Sequence, residues 1–483
     1  MLRHKLLQVL SQLSRKEMTR FREFVYSPYH NKHEEVRALV DNLSENHPRF
    51  LEGRTCQRRY LFQSLFPGEK HNQGKLAILF TYAYRLWEEF ISLEVAKNQP
   101  GGQSVFLLSH LRERGANSPL FEQSLRKVEN ALEDSPFRDS RYHLWSYQTA
   151  READLFYSQQ GKFGKDNSLQ IKQDHLDRYL LSEKLKDGCE MTIRKKILRV
   201  EYQTTLLEPV LEEVRGNWAI YGEVPSVAVY YQIYLLLNGA HERYFEVVRN
   251  LEANEGFFPL EERQLLYHYL QNYCIERINQ GRSEFLAHSF QLYQLQLEKS
   301  LLFLNGFLPE AHYKNLVTIG LRLQENKWVQ DFIHSFRNHL HPGVAENAFS
   351  FNLASYYYAT GQLDKVQELL LRVEYTDLRY NLGAKALLLR TYYDLEEDEA
   401  LLSLFDSFEQ YLKRSQLLAD ERVQSFRRLL RFTRRAMVLR ARQDFVSNAK
   451  TRQGIEALWD QVQRTDPIIN KEWLVEKVEK LKS

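Results

Sequence analysis

Glycine and proline are scarce. The 483 residues include 20 of the first and 12 of the second, about half the roughly 7% and 5% of average proteins, and that depletion removes the turn punctuation of β-rich folds. An all-α chain follows. Cysteine is scarcer still: Cys56, Cys189 and Cys274 lie far apart without paired spacing, which argues against a disulfide framework and a cysteine-rich metal site. A reducing compartment is the simplest assumption. No sign of charge dominates, since 66 Lys and Arg face 63 Asp and Glu for a formal charge of +3; composition alone makes no case for nucleic acid or a membrane surface. Long apolar runs are missing too. The longest uncharged stretch, Val224 to Ala240, contains Pro225, Gln232, Asn238 and Gly239 and falls short of the roughly 20 apolar residues of a membrane span. At the start, Leu2, Leu6, Leu10 and Leu13 form one helical stripe interrupted by Gln8 and Gln12, with no small-residue cleavage site after it. An amphipathic folded helix is expected there rather than a signal peptide, and the expected location is cytoplasmic.

Catalytic signatures are also absent. No GxSxG, GxGxxG or CxxC occurs. Gly161-Lys-Phe-Gly-Lys165 superficially resembles a phosphate loop, but two residues separate its glycines where four are needed, and Asp166 follows the lysine. His334, His339 and His341 gather near a helix end, where a cationic His is electrostatically favoured. Pro342 argues against a persisting helix that would align them as metal ligands. The expectation is a non-enzymatic chain with no cofactor, no metal and no small-molecule substrate.

Aromatic residues and helical periodicity are what the chain has in quantity. Its 28 Tyr, 28 Phe and 6 Trp suit the space between helical layers. Residues 347–373 read as a helix, a Thr-Gly turn and a second helix, and residues 382–408 repeat the layout. Leu388, Tyr392, Leu401, Phe405 and Phe408 stand 35 residues after Leu353, Tyr357, Val366, Leu370 and Val373. Stepping back 34 residues gives Ile319, Leu323, Phe332, Phe336 and His339, four of them apolar. A single hairpin cannot bury both faces, so a recurring unit in the mid-thirties predicts an α-solenoid of stacked helix hairpins.

The pattern resembles the tetratricopeptide repeat family, well over residues 313–415 and weakly over 225–312. Ile319-Gly320 and Leu353-Ala354 sit at its Leu-Gly position, Leu323, Tyr357 and Tyr392 at its Tyr position, and Phe336, Leu370 and Phe405 at its Phe position. Phe332, Val366 and Leu401 take the place of its small Ala, the signature Trp is missing and no Pro closes a unit, so the resemblance implies an irregular, tetratricopeptide-like array.

Along the chain, residues 1–98 read as an N-terminal helical domain. Ser14 with Glu17 forms a capping box, Pro28 ends that helix, and a helix from about Gln73 to Lys97 carries Leu76, Leu79, Phe80, Ala83, Leu86, Trp87 and Phe90 on one face. Asn98-Gln-Pro-Gly-Gly-Gln103 is the clearest linker. Residues 104–218 form an irregular helical region and 224–415 the hairpin array, with turns around Gly239, Gly281, Asn326, Gly361 and Glu396. Residues 416–483 supply the capping helices a solenoid needs. The segment Leu13 to Leu43, with Phe21, Phe24, Ser27-Pro28-Tyr29 and Asn31-Lys32, resembles the N-terminal region of uncharacterised helical proteins from Bacteroidota, which implies no activity. Tyr29, His30 and Asn31 read as a helix-helix turn, with a partner-docking loop as the alternative.

Two surfaces are candidates for binding. In tetratricopeptide arrays the first helix of each hairpin lines the concave face, and the resemblance carries that role to Gln324, Ser355, Tyr358, Arg390 and Tyr393. Tyr356, Tyr357 and Tyr358 are about 100° apart around a helix and cannot all face the core; Tyr358 is the one expected to face the groove. Ordinary packing between repeats is the structural alternative for all five. The second surface is the helix Glu421 to Asp444. Val423, Phe426, Leu430, Thr433, Met437 and Ala441 make one face, while Arg427, Arg428, Arg431, Arg434, Arg435 and Arg442 gather on another. Such a stripe can hold a phosphate backbone, meet an acidic protein, or pair internally with the acidic run Glu396 to Glu399. The leading expectation is a scaffold that binds a protein or peptide through the concave face of its repeats. The alternative is a nucleic-acid-associated helical protein.

Overall fold

A computed structural model describes residues 4–48, 50, 58–99, 101–115, 117–162, 167–198, 200–371, 378–414, 420–445 and 449–482. Cys56, the stretch 163–166 of the glycine-lysine loop and Val373 lie outside the described residues. Twenty-four α-helices account for most of the described chain, and no strand occurs among the described residues; the fold is an all-α stack of helices packed against their sequence neighbours. None of the described helices is long and apolar enough to cross a membrane. The chain divides into two compact units, Met1–Pro259 and Leu260–Ser483.

The first unit opens with α1 (Lys5–Leu10), α2 (Arg15–Tyr26), α3 (Glu34–Glu45), α4 (Arg58–Leu65) and α5 (Gln73–Asn98). The Ser14 hydroxyl accepts from the Glu17 amide at 3.2 Å, and the Glu17 carboxylate accepts from the Ser14 amide at 2.7 Å. Both free donors are thereby satisfied. The apolar face of α5 meets Leu6, Phe21, Val36, Leu39 and Phe62 in one core. In the turn after α2, Asn31 is 4% exposed. Its amide donates to the carbonyls of Val25 (3.0 Å) and His33 (3.2 Å) and its oxygen accepts from the His33 amide (3.0 Å). His30 stacks on Phe24 with centroids 3.9 Å apart, whereas Tyr29 is 87% exposed.

Then come α6 (Gly102–Glu113), α7 (Ser118–Glu133), α8 (Ser140–Gln159), α9 (Ser168–Leu198), α10 (Leu207–Gly216), α11 (Trp218–Tyr221), α12 (Pro225–Leu237) and α13 (Tyr244–Asn254). Just before α6, a Cβ on Gly101 would sit 2.6 Å from the Trp145 ring. Helices α8 and α12 both pack along α9, and Phe121 stacks on Phe156 at 3.8 Å inside the α6–α8 core.

The second unit is a run of hairpins: α14 (Leu260–Asn279) with α15 (Phe285–Glu298), α16 (Glu310–Arg322) with α17 (Asn326–Ser335), α18 (Ala345–Ala359) with α19 (Leu363–Leu371), and α20 (Leu378–Asp394) with α21 (Asp398–Arg414). It closes with α22 (Asp420–Phe445), α23 (Ala449–Arg464) and α24 (Lys471–Lys482). First helices stack on first helices, α16 on α18 and α18 on α20, while α17 and α19 also touch the following hairpin. Ile319, Phe332, Leu353, Val366, Leu370, Leu388, Leu401, Phe405 and Phe408 are all buried in one core, with Leu323, Phe336, Tyr357 and Tyr392 packed against it. His339, the polar member of its set, is exposed.

Each first helix ends in the same backbone turn. Gly281, Gln324, Gly361 and Glu396 have φ of 84°, 61°, 77° and 61°. The next amide reaches back five residues, Arg282 to Arg277 (3.0 Å), Glu325 to Gly320, Gln362 to Tyr357 and Glu397 to Tyr392 (each 2.9 Å), the six-to-one bond of a Schellman cap. Two expectations are corrected by these turns. The one placed at Asn326 belongs to Gln324, since Asn326 already opens α17. The register between the first two copies is 37 residues, from Gln324 to Gly361, rather than 34, and only the next step, Gly361 to Glu396, is 35. An error of three residues is close to one helical turn, so both offsets match apolar with apolar. In the corrected register Leu316-Val317, not Ile319-Gly320, stands level with Leu353-Ala354.

Two stability outcomes follow. Asn31→Ala leaves the buried carbonyl of Val25 and the partly buried carbonyl and amide of His33 without their partner and should cost about 2 kcal/mol, while Tyr29→Ala should stay within about 0.5 kcal/mol; urea denaturation monitored by circular dichroism compares them. Glu396→Gly removes a side chain from left-handed backbone and should stabilise the second unit by about 1 kcal/mol, read as a higher melting temperature.

Candidate functional site

The exposed edges of α16, α18, α20 and α22 enclose a groove of about 460 Å³. Three first helices reach it at matching heights: Lys314, Thr318 and Leu321 from α16, Phe351, Ser355 and Tyr358 from α18, and Ala386 and Arg390 from α20. These are spacings of four and three residues, one helical face each. Leu382, Gly383 and Leu387 deepen the floor, Arg422 and Phe426 of α22 close one side, and Ile469 and Asn470 ahead of α24 close another. Gly383 is a packing requirement, because a Cβ there would stand 2.9 Å from the Phe351 ring.

Ser355, Tyr358 and Arg390, three of the five residues expected on this face, are brought together. The Arg390 guanidinium lies 4.1 Å from the centre of the Tyr358 ring and 5.9 Å from that of Trp473. Its Nε is buried without a hydrogen-bond partner among the described residues. The Tyr358 hydroxyl donates to Asp394 Oδ2 at 2.5 Å, and Trp473 Nε1 donates to the same oxygen at 3.4 Å. Lys477 Nζ pairs with Asp394 Oδ1 at 3.0 Å. Burial raises the Tyr358 phenol pKa against the opposing field of Arg390, so the hydroxyl keeps its proton and remains a donor.

Gln324 and Tyr393 lie elsewhere. Gln324 is the left-handed residue of the α16 turn and is exposed there. Tyr393 is 4% exposed, with Arg440 4.4 Å above its ring and Trp473 against its edge at 5.5 Å; burial pushes its pKa up to about 12. The reason is α24, whose Trp473 and Lys477 cover the last turn of α20. Reasoning from sequence also missed Lys314, Thr318 and Leu321. Counting back 37 residues from Phe351, Ser355 and Tyr358 would have found them, but with Gln324 rather than Gly at the turn, nothing in the sequence marks that register.

Helix α22 buries Val423, Phe426, Leu430, Thr433 and Met437, the face expected to be inward. On its other side Arg427 pairs with Glu409 at 3.2 Å and Arg434 with Asp406 at 3.4 Å. Arg428 donates to the carbonyls of Asp466 (2.7 Å) and Pro467 (3.1 Å), and Arg435 to Gln461 at 2.7 Å. Arg431 and Arg442 are exposed. The acidic run is met instead by Arg440, whose guanidinium reaches Asp398 at 2.7 Å. A second groove of about 480 Å³, between α21 and α22, therefore holds Arg427, Arg431, Arg434 and Arg435 together with Asp406 and Glu409.

The three clustered histidines diverge: His334 meets Phe349, His339 meets Phe336, and His341 Nδ1 accepts from the Gly343 amide at 3.2 Å. No group of three or more His, Cys, Asp or Glu able to hold a metal ion occurs among the described residues. A different pair does converge. His143 of α8 and His175 of α9 face each other with Nδ1 atoms 3.0 Å apart, so one Nδ1 carries the proton and the other accepts it. Their 32-residue separation gives no motif to read. Burial, then the field of His175 and nearby arginines, lowers the His143 pKa to about 3; burial and Arg178 lower that of His175 to about 4.

The chain matches no family model, no curated protein and no solved structure.

The histidine pair has a pH consequence. Below about pH 6.5 the unfolded chain takes up protons at both rings while the folded chain takes up none until near pH 4, so stability falls as pH drops across that window. Melting temperatures between pH 7 and 4.5 should fall less steeply in a His143→Asn/His175→Asn variant than in the parent. Parallel slopes would contradict this.

Proposed function

We propose that the chain is a non-enzymatic, cytoplasmic scaffold of tetratricopeptide-like hairpins that takes a peptide segment of a partner protein into the groove between α16, α18, α20 and α22. The observation that carries this reading is the convergence of one face from each of three successive first helices on one groove. Its volume falls within the roughly 300–1,000 Å³ of ligand sites, and an apolar floor with a few placed polar groups is their usual chemistry. Tyr358 and Arg390 supply the side-chain types that most often anchor interfaces. The likeness of residues 13–43 to helical proteins from Bacteroidota adds no activity to this reading. A phosphate backbone along α22 is the weaker alternative, because Glu409 and Asp406 already pair with Arg427 and Arg434.

The test is a random peptide library displayed on phage and selected against the full chain, with affinities of the selected peptides measured by titration. Thr318→Trp and Ser355→Trp should fill the groove and weaken binding at least tenfold, about 1.4 kcal/mol, while leaving the melting temperature close to that of the parent. Arg431→Glu should leave those affinities unchanged. Selected peptides that bind both Trp variants as tightly as the parent would overturn the proposal.

A further inference from the structure

We infer that Asn305 is a modification site, an asparagine that deamidates spontaneously in the folded chain to aspartate and isoaspartate, whereas the fold protects Asn238. The sequence holds two Asn-Gly pairs, Asn238-Gly239 and Asn305-Gly306. Both asparagines are exposed, so access to water does not separate them. The reaction needs the glycine amide nitrogen to bond to the side-chain carbonyl carbon of the asparagine. The amide hydrogen leaves with the side-chain nitrogen as ammonia, a succinimide remains, and water opens that ring at either carbonyl. No electrons change hands.

The two pairs differ in what holds the reacting groups. Asn305 and Gly306 are the central residues of a tight turn between α15 and α16, with φ of 51° and 80°. The Leu304 amide donates to the Phe307 carbonyl at 2.8 Å and the Phe307 amide to the Leu304 carbonyl at 3.0 Å, the arrangement of a type I′ turn. Neither the Asn305 side chain nor the Gly306 amide has a hydrogen-bond partner among the described residues. Flipping the peptide between them converts the turn to type II′, which keeps φ positive at Asn305 and reverses it only at Gly306, where glycine adopts either sign. That flip carries the Gly306 nitrogen toward the Asn305 side chain and leaves both Leu304–Phe307 bonds in place.

Asn238 ends α12, and its reacting groups are tied down. Its side-chain nitrogen donates to the Tyr234 carbonyl at 2.8 Å and to the Thr192 hydroxyl at 3.4 Å. The Gly239 amide donates to the Leu236 carbonyl at 3.3 Å, and the Ala240 amide to that of Leu235 at 3.0 Å. Attack there breaks the helix cap first. At Asn305 the aspartate product suits the same turn, while isoaspartate lengthens the backbone by one carbon and draws the Leu304–Phe307 pair out of register.

The experiment incubates the full chain in mildly alkaline buffer, digests it with trypsin and reads deamidation by mass spectrometry. Asn305 falls in the peptide 300–314 and Asn238 in 216–243. Asn305 should convert at least tenfold faster than Asn238 in the folded chain, and the two rates should converge in urea. Isoaspartate methyltransferase with a labelled methyl donor should mark the 300–314 peptide, and Asn305→Gly, which suits the positive φ, should abolish that mark. Equal rates in the folded chain, faster conversion at Asn238, or a gap that persists in urea would overturn the inference. A methyl label on 300–314 that survives Asn305→Gly would do the same.

Discussion

Each hairpin of the second unit is closed by one backbone geometry, a residue in the left-handed region that lets the following amide bond back to a carbonyl five positions earlier. That turn decides where the second helix starts and how the first is rotated about its axis. Rotation decides which side chains are buried between layers and which look outward. Leu316, Leu353 and Leu388 enter the core while Thr318, Ser355 and Arg390 reach the groove. The groove is thus a product of capping geometry as much as of apolar burial. Without the same turn at Gln324 and Gly361, Thr318 and Ser355 would not stand side by side.

The two arginine-rich regions show why cation counts alone misjudge a surface. Helix α22 looks the more basic in sequence, with six arginines gathered on one side. In the fold, most of these are engaged with carboxylates, carbonyls or an amide of α21, α23 and the segment after it. The cations that line the α16–α22 groove, Lys314 and Arg322 of α16, Arg390 of α20 and Arg422 of α22, come from three separate helices and look unremarkable in sequence, yet they meet in one groove. Field strength depends on where the neutralising groups fall, and only packing determines that.

Much of the architecture was legible in the residues. Leu353, Val366, Leu370, Leu401 and Phe405 announce buried helix faces because apolar burial and helical period act locally, and the Ser14-Glu17 cap is local by nature. The site was half legible. Ser355, Tyr358 and Arg390 follow from a 35-residue step that the fold keeps, whereas Gln324 was reached through a 34-residue step where the true one is 37. A hydrophobic pattern is blind to a shift of one helical turn. Tyr393 was hidden by a contact more than seventy residues away in the chain, Trp473 on α24, which no periodicity could report. The facing pair His143 and His175 depends likewise on α8 lying along α9.

Asp394 joins two parts of the second unit through one carboxylate. One of its oxygens receives Tyr358 from the groove floor and Trp473 from α24, and the other receives Lys477. The rotamer of Tyr358 and the seating of α24 therefore share a single anchor. An occupant that tilts the Tyr358 ring would withdraw a proton donor from Asp394 and leave Trp473 and Lys477 to compensate, so the cap and the groove are mechanically joined across a span that the chain itself covers only after nearly eighty residues.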